Sequence, residues 1–356
     1  KSEVQLYELL RSIIMPDNEE HFFNAARSND LNEVKRLVAT GVNVDIKDTF
    51  GETALLWSAG KGHINIVKYL IEEAGANVLE NGRYGNTALM EAARGGLTET
   101  AKYLIEQAKV SVNCKSNDGW TAFLLATQNG HAHTLKYLIA AGADAQDTDK
   151  VGRTALHLAC MNGHTDIVKC LTRETDTNVN ATSDNGTMTA LLWAASGDHT
   201  EIVKHLIEEA GAHLNVTDRW GNTAFCLAAS KGYLETVKYF IQEGRANVEE
   251  KNSSTGRTAV MEAARSHNLA TVKYLVEEAG ANTNEKAKNG WTALIFSLDS
   301  NAEIVNYLMA KARATVDEND EVRKELRSIY EYGGSSPAWI HLYFLLEVVL
   351  ICVKVC

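Results

Sequence analysis

The sequence predicts an all-α fold built from tandem helix-turn-helix units. The main observation is a Thr-Ala dipeptide that recurs in phase at eight positions, at intervals of 33–35 residues along a chain of 356. A second is internal similarity, because GNTALMEAARGG at 85–96 returns as GRTAVMEAARSH at 256–267. Self-similarity at this period is typical of repeat proteins, whose units bury their apolar faces against one another. The hydrophobic content of 45% is that of a globular chain.

Each unit starts with a glycine-containing turn and enters its first helix at the threonine. A threonine hydroxyl can accept a hydrogen bond from a backbone N–H of the first helical turn, which makes threonine a favoured N-cap. The first helix is short and rich in alanine, so that neighbouring helices can approach closely. The second helix, for example INIVKYLIEEA in the second unit, has one apolar face. It ends near the glycine of GANV, which leads to the next turn.

Nine units follow one another in the chain. The first, at 19–44, is weaker than the others and lacks the opening turn. The other eight start their first helices at Thr53, Thr87, Thr121, Thr154, Thr189, Thr223, Thr258 and Thr292.

This pattern resembles the ankyrin-repeat family, and the best single match is DKVGRTALHLACMNGHTDIVKCL at 149–171. The resemblance implies a solenoid of helix pairs joined by hairpin-like turns, with a concave face formed by first helices and turn tips, where partners bind. Thr-Ala stands where the family favours Thr-Pro, which loses little because alanine favours helix. The signature histidine is present only as His157, so apolar packing is expected to replace a histidine ladder between repeats.

The boundaries of the repeats divide the chain into four segments. Residues 1–17 form a helical cap or the end of an upstream domain, 18–317 the repeat array, 318–334 a C-terminal capping helix, and 335–356 an apolar tail. Within the tail, 338–356 is nearly long enough to span a membrane but contains a glutamate and a lysine. It is a marginal membrane anchor, a helix buried against another domain or partner, or the start of a longer segment.

Composition and motifs argue against several classes of function. The net charge of −11 is unfavourable for binding a nucleic-acid duplex. Six cysteines without C-x-x-C spacing indicate reduced thiols and a cytoplasmic protein. We find no catalytic motif, no cofactor motif and no second cluster that would complete a metal site around His131 and His133. Histidines at the start of second helices are expected to bind backbone.

The residues that vary between units are the candidates for partner binding. The position four residues after each threonine includes Trp57, Trp193 and Phe296, and aromatic side chains are enriched at interaction hot spots. Leucines at the same position are expected in the core between repeats. Phe50, Tyr84 and Trp220 precede the turn glycine and should project outward, whereas Trp120 and Trp291 follow it and either bind a partner or pack along the turn. The remaining candidates are Glu91, Arg94, Met161 and Arg265.

Three hypotheses of function follow. The first is a non-enzymatic scaffold that binds another protein or an extended peptide on the concave face. The second is a ligand sensor, because TALMEAARGG looks like the repeats of the latent ribonuclease that oligoadenylate activates, which would give Trp57, Tyr84, Arg94 and Trp120 a role in stacking and holding the ligand. The third is the cytosolic arm of a membrane protein, with membrane association only through 338–356.

Overall fold

The computed structural model describes residues 17–183, 186–243, 245–298 and 302–311. Within these residues the chain forms nine successive helix pairs, which confirms the predicted all-α repeat fold. We call the pairs repeats 1–9. Nearly all of segment 1–17, and all of segments 318–334 and 335–356, lie outside the described residues. Those parts of the predicted domain division remain predictions.

The helices have the following bounds. Repeats 1–3 comprise α1 Asp17–Arg27, α2 Leu31–Ala39, α3 Ala54–Lys61, α4 Ile64–Glu72, α5 Ala88–Arg94 and α6 Thr98–Glu106. Repeats 4–6 comprise α7 Ala122–Gln128, α8 Ala132–Ala140, α9 Ala155–Asn162, α10 Thr165–Glu174, α11 Ala190–Ser196 and α12 Thr200–Glu208. Repeats 7–9 comprise α13 Ala224–Lys231, α14 Leu234–Gln242, α15 Ala259–Arg265, α16 Leu269–Glu277, α17 Ala293–Ser297 and α18 Ala302–Lys311.

The chain divides into two compact units, one up to Arg219 and one from Trp220 onward. Inside each unit, first helices pack against the first helices of adjacent repeats, and second helices do the same. The alanines of the first helices, such as Ala92 and Ala93, are fully buried and permit this close approach. Each unit therefore has a core made of the shared faces of neighbouring repeats.

The threonines start the first helices as predicted. In six repeats, from Thr53 to Thr223, the hydroxyl accepts a hydrogen bond from the backbone N–H three residues later. Thr258 and Thr292 occupy the same N-cap position without that bond. In repeat 5 the His157 ring also bonds the backbone N–H of Thr154 (3.1 Å), and in repeat 3 the sulfur of Met90 accepts from that of Thr87 (3.5 Å). A methionine thus takes over part of the role of the histidine.

The turn before the first helix of repeat 6 contains a short pair of strands. Strands β1 (Thr182–Ser183) and β2 (Met188–Thr189) pair in antiparallel fashion, with Ser183 opposite Met188. This short ladder leads directly into α11. It agrees with the hairpin-like turns that the resemblance implies.

Histidines at the start of second helices connect one repeat to the previous one. In the first unit His63 donates from Nδ1 to the Ala26 carbonyl over 2.8 Å. His131 donates from Nε2 to the backbone carbonyl of Arg94 over 2.9 Å. His164 and His199 make the same kind of contact to residues 128 and 161. The expectation that these histidines bind backbone is confirmed, which gives them a structural role.

Candidate functional site

Repeats 2 and 3 form a pocket between their first helices and turns. Its volume is about 300 Å³. It combines aromatic, acidic and basic side chains, and two of its residues come from each of the turn tips. The lining residues are Phe50, Glu52, Leu56, Trp57, Gly60, Lys61, Arg83, Tyr84, Glu91 and Arg94.

The aromatic wall of the pocket is held in place by the turn before α3. Phe50 is 56% exposed and Tyr84 is 61% exposed, as predicted for side chains before the turn glycine. Asp48 accepts from the backbone N–H of Phe50 (2.8 Å) and from that of Glu52 (3.0 Å). Gly51 has φ of 80°, which glycine adopts without strain and which closes the turn. The turn therefore presents Phe50 at the rim.

Trp57 is half-buried and is fixed by the same aspartate. Its indole N–H donates to Oδ2 of Asp48 over 2.9 Å. The guanidinium of Arg27, from α1, lies 4.3 Å from the Trp57 ring centroid and forms an ion pair with Asp48. The predicted anchor Trp57 is thus present at the pocket, although part of its surface is already covered by Arg27.

Two carboxylates, those of Glu52 and Glu91, line the pocket and are less exposed than its rings at Phe50 and Tyr84. We call them the floor of the pocket. The side chain of Glu91 is 15% exposed and forms an ion pair at 3.2 Å with Arg94, three residues later on the same helix. The carboxylate of Glu52 lies against Gly82, where a Cβ would overlap with it. A Cβ on Gly60 would lie 3.4 Å from that of Glu91. Gly82 therefore leaves the room that the Glu52 carboxylate occupies, whereas a methyl group at Gly60 would only touch Glu91.

Burial raises the pKa of Glu91 above the ordinary value of 4.5. Burial also raises the pKa of Glu52, and the negative charge of Glu91 raises it further. A raised carboxyl pKa means that the ionised form is disfavoured relative to water. Burial is the larger cause at both groups, and the negative charge of Glu91 adds to it at Glu52.

Basic side chains surround the mouth of the pocket. Lys61 and Arg83 are exposed, and within the described part of the chain neither has an ion-pair partner. Arg94 is 44% exposed while it contacts Glu91. The arrangement is a cationic rim, an aromatic wall and an acidic floor, which suits a ligand that contains both signs of charge.

The second copy of the MEAAR motif is in unit 2 and forms a filled site. Glu262 is 3% exposed and pairs with Arg265 at 3.1 Å and with Arg257 at 3.2 Å. Arg257 in turn lies 4.8 Å from the ring centroid of Phe296. The same sequence motif therefore lies beside an open pocket in repeat 3 and inside a closed cluster of charges in repeat 8.

Phe296 differs from its expected role as an exposed anchor, because it is only 5% exposed. It packs against Trp291, with ring centroids 5.3 Å apart, and under Arg257. The position four residues after threonine points outward only when the neighbouring side chains leave space. At Phe296 they do not, and the ring belongs to the packing of unit 2.

The other predicted site residues are dispersed over the two units. Trp120 is half-buried beside Arg153, which fits packing along the turn, and it does not line the pocket. The indole of Trp193 donates to Ser183 Oγ over 3.2 Å. Met161 is half-buried, and Arg265 forms an ion pair with Glu262. Trp220 is 56% exposed and Trp291 is 37% exposed, both in unit 2.

Sequence reasoning missed several residues of the pocket. Asp48 holds the aromatic wall in place, but the sequence does not single it out, because acidic residues are common in turns. Glu52, Lys61 and Arg83 were missed because each is polar at a position that varies between repeats. The useful signal was Gly60, since other repeats have a side chain there, for example Arg94, Gln128, Met161 and Arg265. A glycine at a position where the other repeats carry a side chain therefore indicates a cavity between neighbouring first helices.

Three of the four cysteines in the described residues are buried. Burial raises the pKa of the Cys170 and Cys226 thiols to about 11, so they stay protonated at neutral pH and are poor nucleophiles. No group of three side chains in residues 17–183, 186–243, 245–298 and 302–311 could hold a metal ion. None of the helices in these ranges has the length and hydropathy to cross a membrane. The predicted anchor at 338–356 lies outside them.

The stacked helix pairs, with a pocket between two of them, define a tandem-repeat protein. A family model described as ankyrin repeats matches residues 22–116, 108–183, 176–252 and 225–320. The chain therefore belongs to the ankyrin-repeat family. No curated protein shows a significant match to it. Ankyrin repeats generally mediate protein–protein interaction and are typically non-enzymatic.

The raised pKa of Glu52 leads to a prediction about stability. A group whose pKa is higher in the folded state stabilises the fold below its unfolded pKa, and this contribution is lost as the pH rises through the folded value. We expect Glu52→Gln to raise the thermal unfolding midpoint at pH 7, with the gain narrowing as the pH falls toward 4.5. Scanning calorimetry across this range measures the difference between the variant and the wild type.

A carboxylate with the opposite shift is the control for this measurement. Arg36 donates a hydrogen bond to Glu33 and lowers the pKa of its carboxyl group. Glu33→Gln should therefore give no gain in the midpoint at pH 7. A lower midpoint for Glu52→Gln than for the wild type at pH 7 would contradict the prediction.

Proposed function

We propose that the chain is a non-enzymatic binding protein that takes up a protein partner or an extended peptide on its first helices and turns, with the pocket of repeats 2 and 3 as the main contact. The observation behind the proposal is the combination of exposed rings with fixed backbone. Phe50 and Tyr84 stand at the rim of a preformed cavity, and Asp48 orders the turn that presents one of them. Rigid aromatic groups beside a cavity supply binding energy at low entropic cost.

The test is capture of the native partner by the immobilised full chain, with identification by mass spectrometry. The double variant Phe50→Ala with Tyr84→Ala should weaken capture by about tenfold or more, as truncation of hot-spot residues does. Both side chains are more than half exposed, so the fold should be retained.

The chain offers a matched control. Val151 has the same place in its turn as Phe50 and is 48% exposed, and Leu79 is 65% exposed. The double variant Val151→Ala with Leu79→Ala should keep full capture. Equal capture by both double variants would exclude the pocket as the contact site.

The pocket also supports the second candidate, a sensor of small ligands such as oligoadenylate. Trp57, Tyr84 and Arg94 line one cavity, as a stacking site with a basic group requires. Trp120, the fourth residue of that hypothesis, does not line it. Titration of tryptophan fluorescence with oligoadenylate tests this candidate, because Trp57 would report occupancy, and an unchanged signal would reject it.

A further inference from the structure

Arginine side chains in this protein are held repeatedly between an aromatic ring and a carboxylate. The guanidinium is 4.3 Å from the ring centroid in the first case, 5.7 Å in the second and 4.8 Å in the third. The carboxylate partner is paired with the arginine in every case. The three clusters are Arg27 with Trp57 and Asp48, Arg153 with Trp120 and Asp149, and Arg257 with Phe296 and Glu262.

The physical reason for this arrangement is the shape of the guanidinium. It is planar, weakly hydrated and always charged, so its face stacks on a ring while its edge donates hydrogen bonds to a carboxylate. Lysine has a compact, strongly hydrated charge and cannot do both equally well.

The pocket of repeats 2 and 3 also has rings and carboxylates, but within the described residues its own arginines, Arg83 and Arg94, stack on none of these rings. Phe50 and Tyr84 supply exposed rings. Of the two carboxylates, Glu91 is paired with Arg94, which is itself largely exposed. Glu52 accepts from the backbone N–H of Arg83 and has no ion-pair partner in the described ranges of the chain. The cavity between them has a volume of about 300 Å³.

The electrostatics of the floor favour an added cation. Burial raises the pKa of both Glu52 and Glu91, and their mutual repulsion contributes at Glu52. The groups facing this floor are Asp48 from the turn before α3, Lys61 from the end of α3, Arg83 from the next turn and Arg94 from α5. Among the basic groups of the pocket, Arg94 forms an ion pair with a floor carboxylate, and that carboxylate is Glu91. Glu52 keeps one side chain acceptor group without an ion-pair partner in the described residues.

We propose that this pocket binds an arginine side chain of the partner, flanked in the partner's sequence by acidic residues that pair with Lys61 and Arg83 at the rim. The proposal rests on the proposed function and specifies the chemistry of the partner segment. The guanidinium lies between the rings of the wall and the carboxylates of the floor. A polyanionic ligand would meet the same basic rim, but it would bring negative charge toward Glu52 and Glu91.

The test uses synthetic peptides and the full chain. An acetylated, amidated peptide Gly-Asp-Arg-Asp-Gly is titrated calorimetrically, next to a copy in which citrulline replaces arginine and a copy in which asparagine replaces both aspartates. Citrulline has the same shape without the charge, so we expect it to weaken binding by about tenfold or more, the effect of one charge-assisted hydrogen bond. The asparagine copy should bind less tightly than the parent, and its affinity should depend less on salt.

Variants of the floor complete the test. Glu52→Gln and Glu91→Gln should each lower the affinity for the arginine peptide by about tenfold. Since Glu52→Gln is expected to stabilise the fold, its loss of affinity cannot arise from unfolding. The control is Glu235→Gln, whose carboxylate is exposed and pairs with Lys238 in unit 2, and it should bind like the wild type.

Three outcomes would overturn the proposal. They are equal binding of the citrulline peptide, unchanged affinity in both floor variants, and binding of oligoadenylate without any binding of the arginine peptide. If the arginine peptide does not bind while capture of the native partner still depends on Phe50 and Tyr84, only the arginine assignment is rejected. If capture is also independent of those two residues, the proposed function itself is rejected.

Discussion

Replacing Leu104 by alanine is expected to lower the free energy of unfolding by about 2–5 kcal/mol. Leu104 lies on α6, is fully buried and packs in the core that repeats 2, 3 and 4 share. Its truncation removes apolar contacts and leaves a cavity that the alanine-rich first helices cannot fill by moving closer. Urea denaturation, followed by circular dichroism of the helices, measures the change.

The control for this prediction has the same chemistry at an exposed position. Leu79 is 65% exposed, so Leu79→Ala removes the same atoms without opening a cavity. Its effect should stay within about 0.5 kcal/mol. Similar losses in the two variants would mean that the core of this unit does not depend on shared packing between repeats.

Replacing Asp48 by alanine should be nearly as damaging, with a loss of about 3 kcal/mol. Asp48 is 9% exposed and accepts four hydrogen bonds, from two backbone N–H groups, the Trp57 indole and Arg27. The alanine variant leaves a partly buried guanidinium without its partner and removes the bonds that hold the turn. Denaturation measures the stability, and titration with the arginine peptide measures the pocket.

Asp48→Ala should also weaken peptide binding, because the hydrogen bonds that Asp48 accepts place Phe50 and Trp57 at the pocket. The control is Asp45→Ala, since Asp45 accepts one exposed hydrogen bond, from the Asn77 backbone N–H at 2.9 Å. That variant should lose about 1 kcal/mol or less. It should bind the peptide like the wild type. A stable Asp48→Ala variant with an intact pocket would show that the turn is ordered by other contacts.

The repeat fold could be predicted from the sequence because it follows from local signals. Threonine at the N-cap, alanine in the first helix and one apolar face in the second recur at a constant period, and each acts within a few residues of its own position. The bridging histidines, for example His63 and His131, were predictable for the same reason. The same threonine position starts the first helix in eight units, so eight observations support one rule.

The candidate site was only partly predictable. Exposure of Phe50, Tyr84 and Trp220 follows from their place before the turn glycine, which is a local property. Burial of Phe296 does not, because it depends on Arg257 from the preceding repeat as well as on its near neighbour Trp291. Both Trp57 and Phe296 lie four residues after a threonine, yet Trp57 lines the pocket of repeats 2 and 3 whereas Phe296 is buried.

The sequence by itself determined the architecture of this protein: its helix pairs, their order, their period and their shared apolar faces. The tertiary structure alone decided which variable side chains meet. It brings Glu52 from one turn and Glu91 from the next repeat into one pocket, which Gly60 also lines. The physical reason is range. Capping and helix formation act over three or four residues, whereas a pocket depends on contacts between groups some 30–40 residues apart, which only stacking brings together.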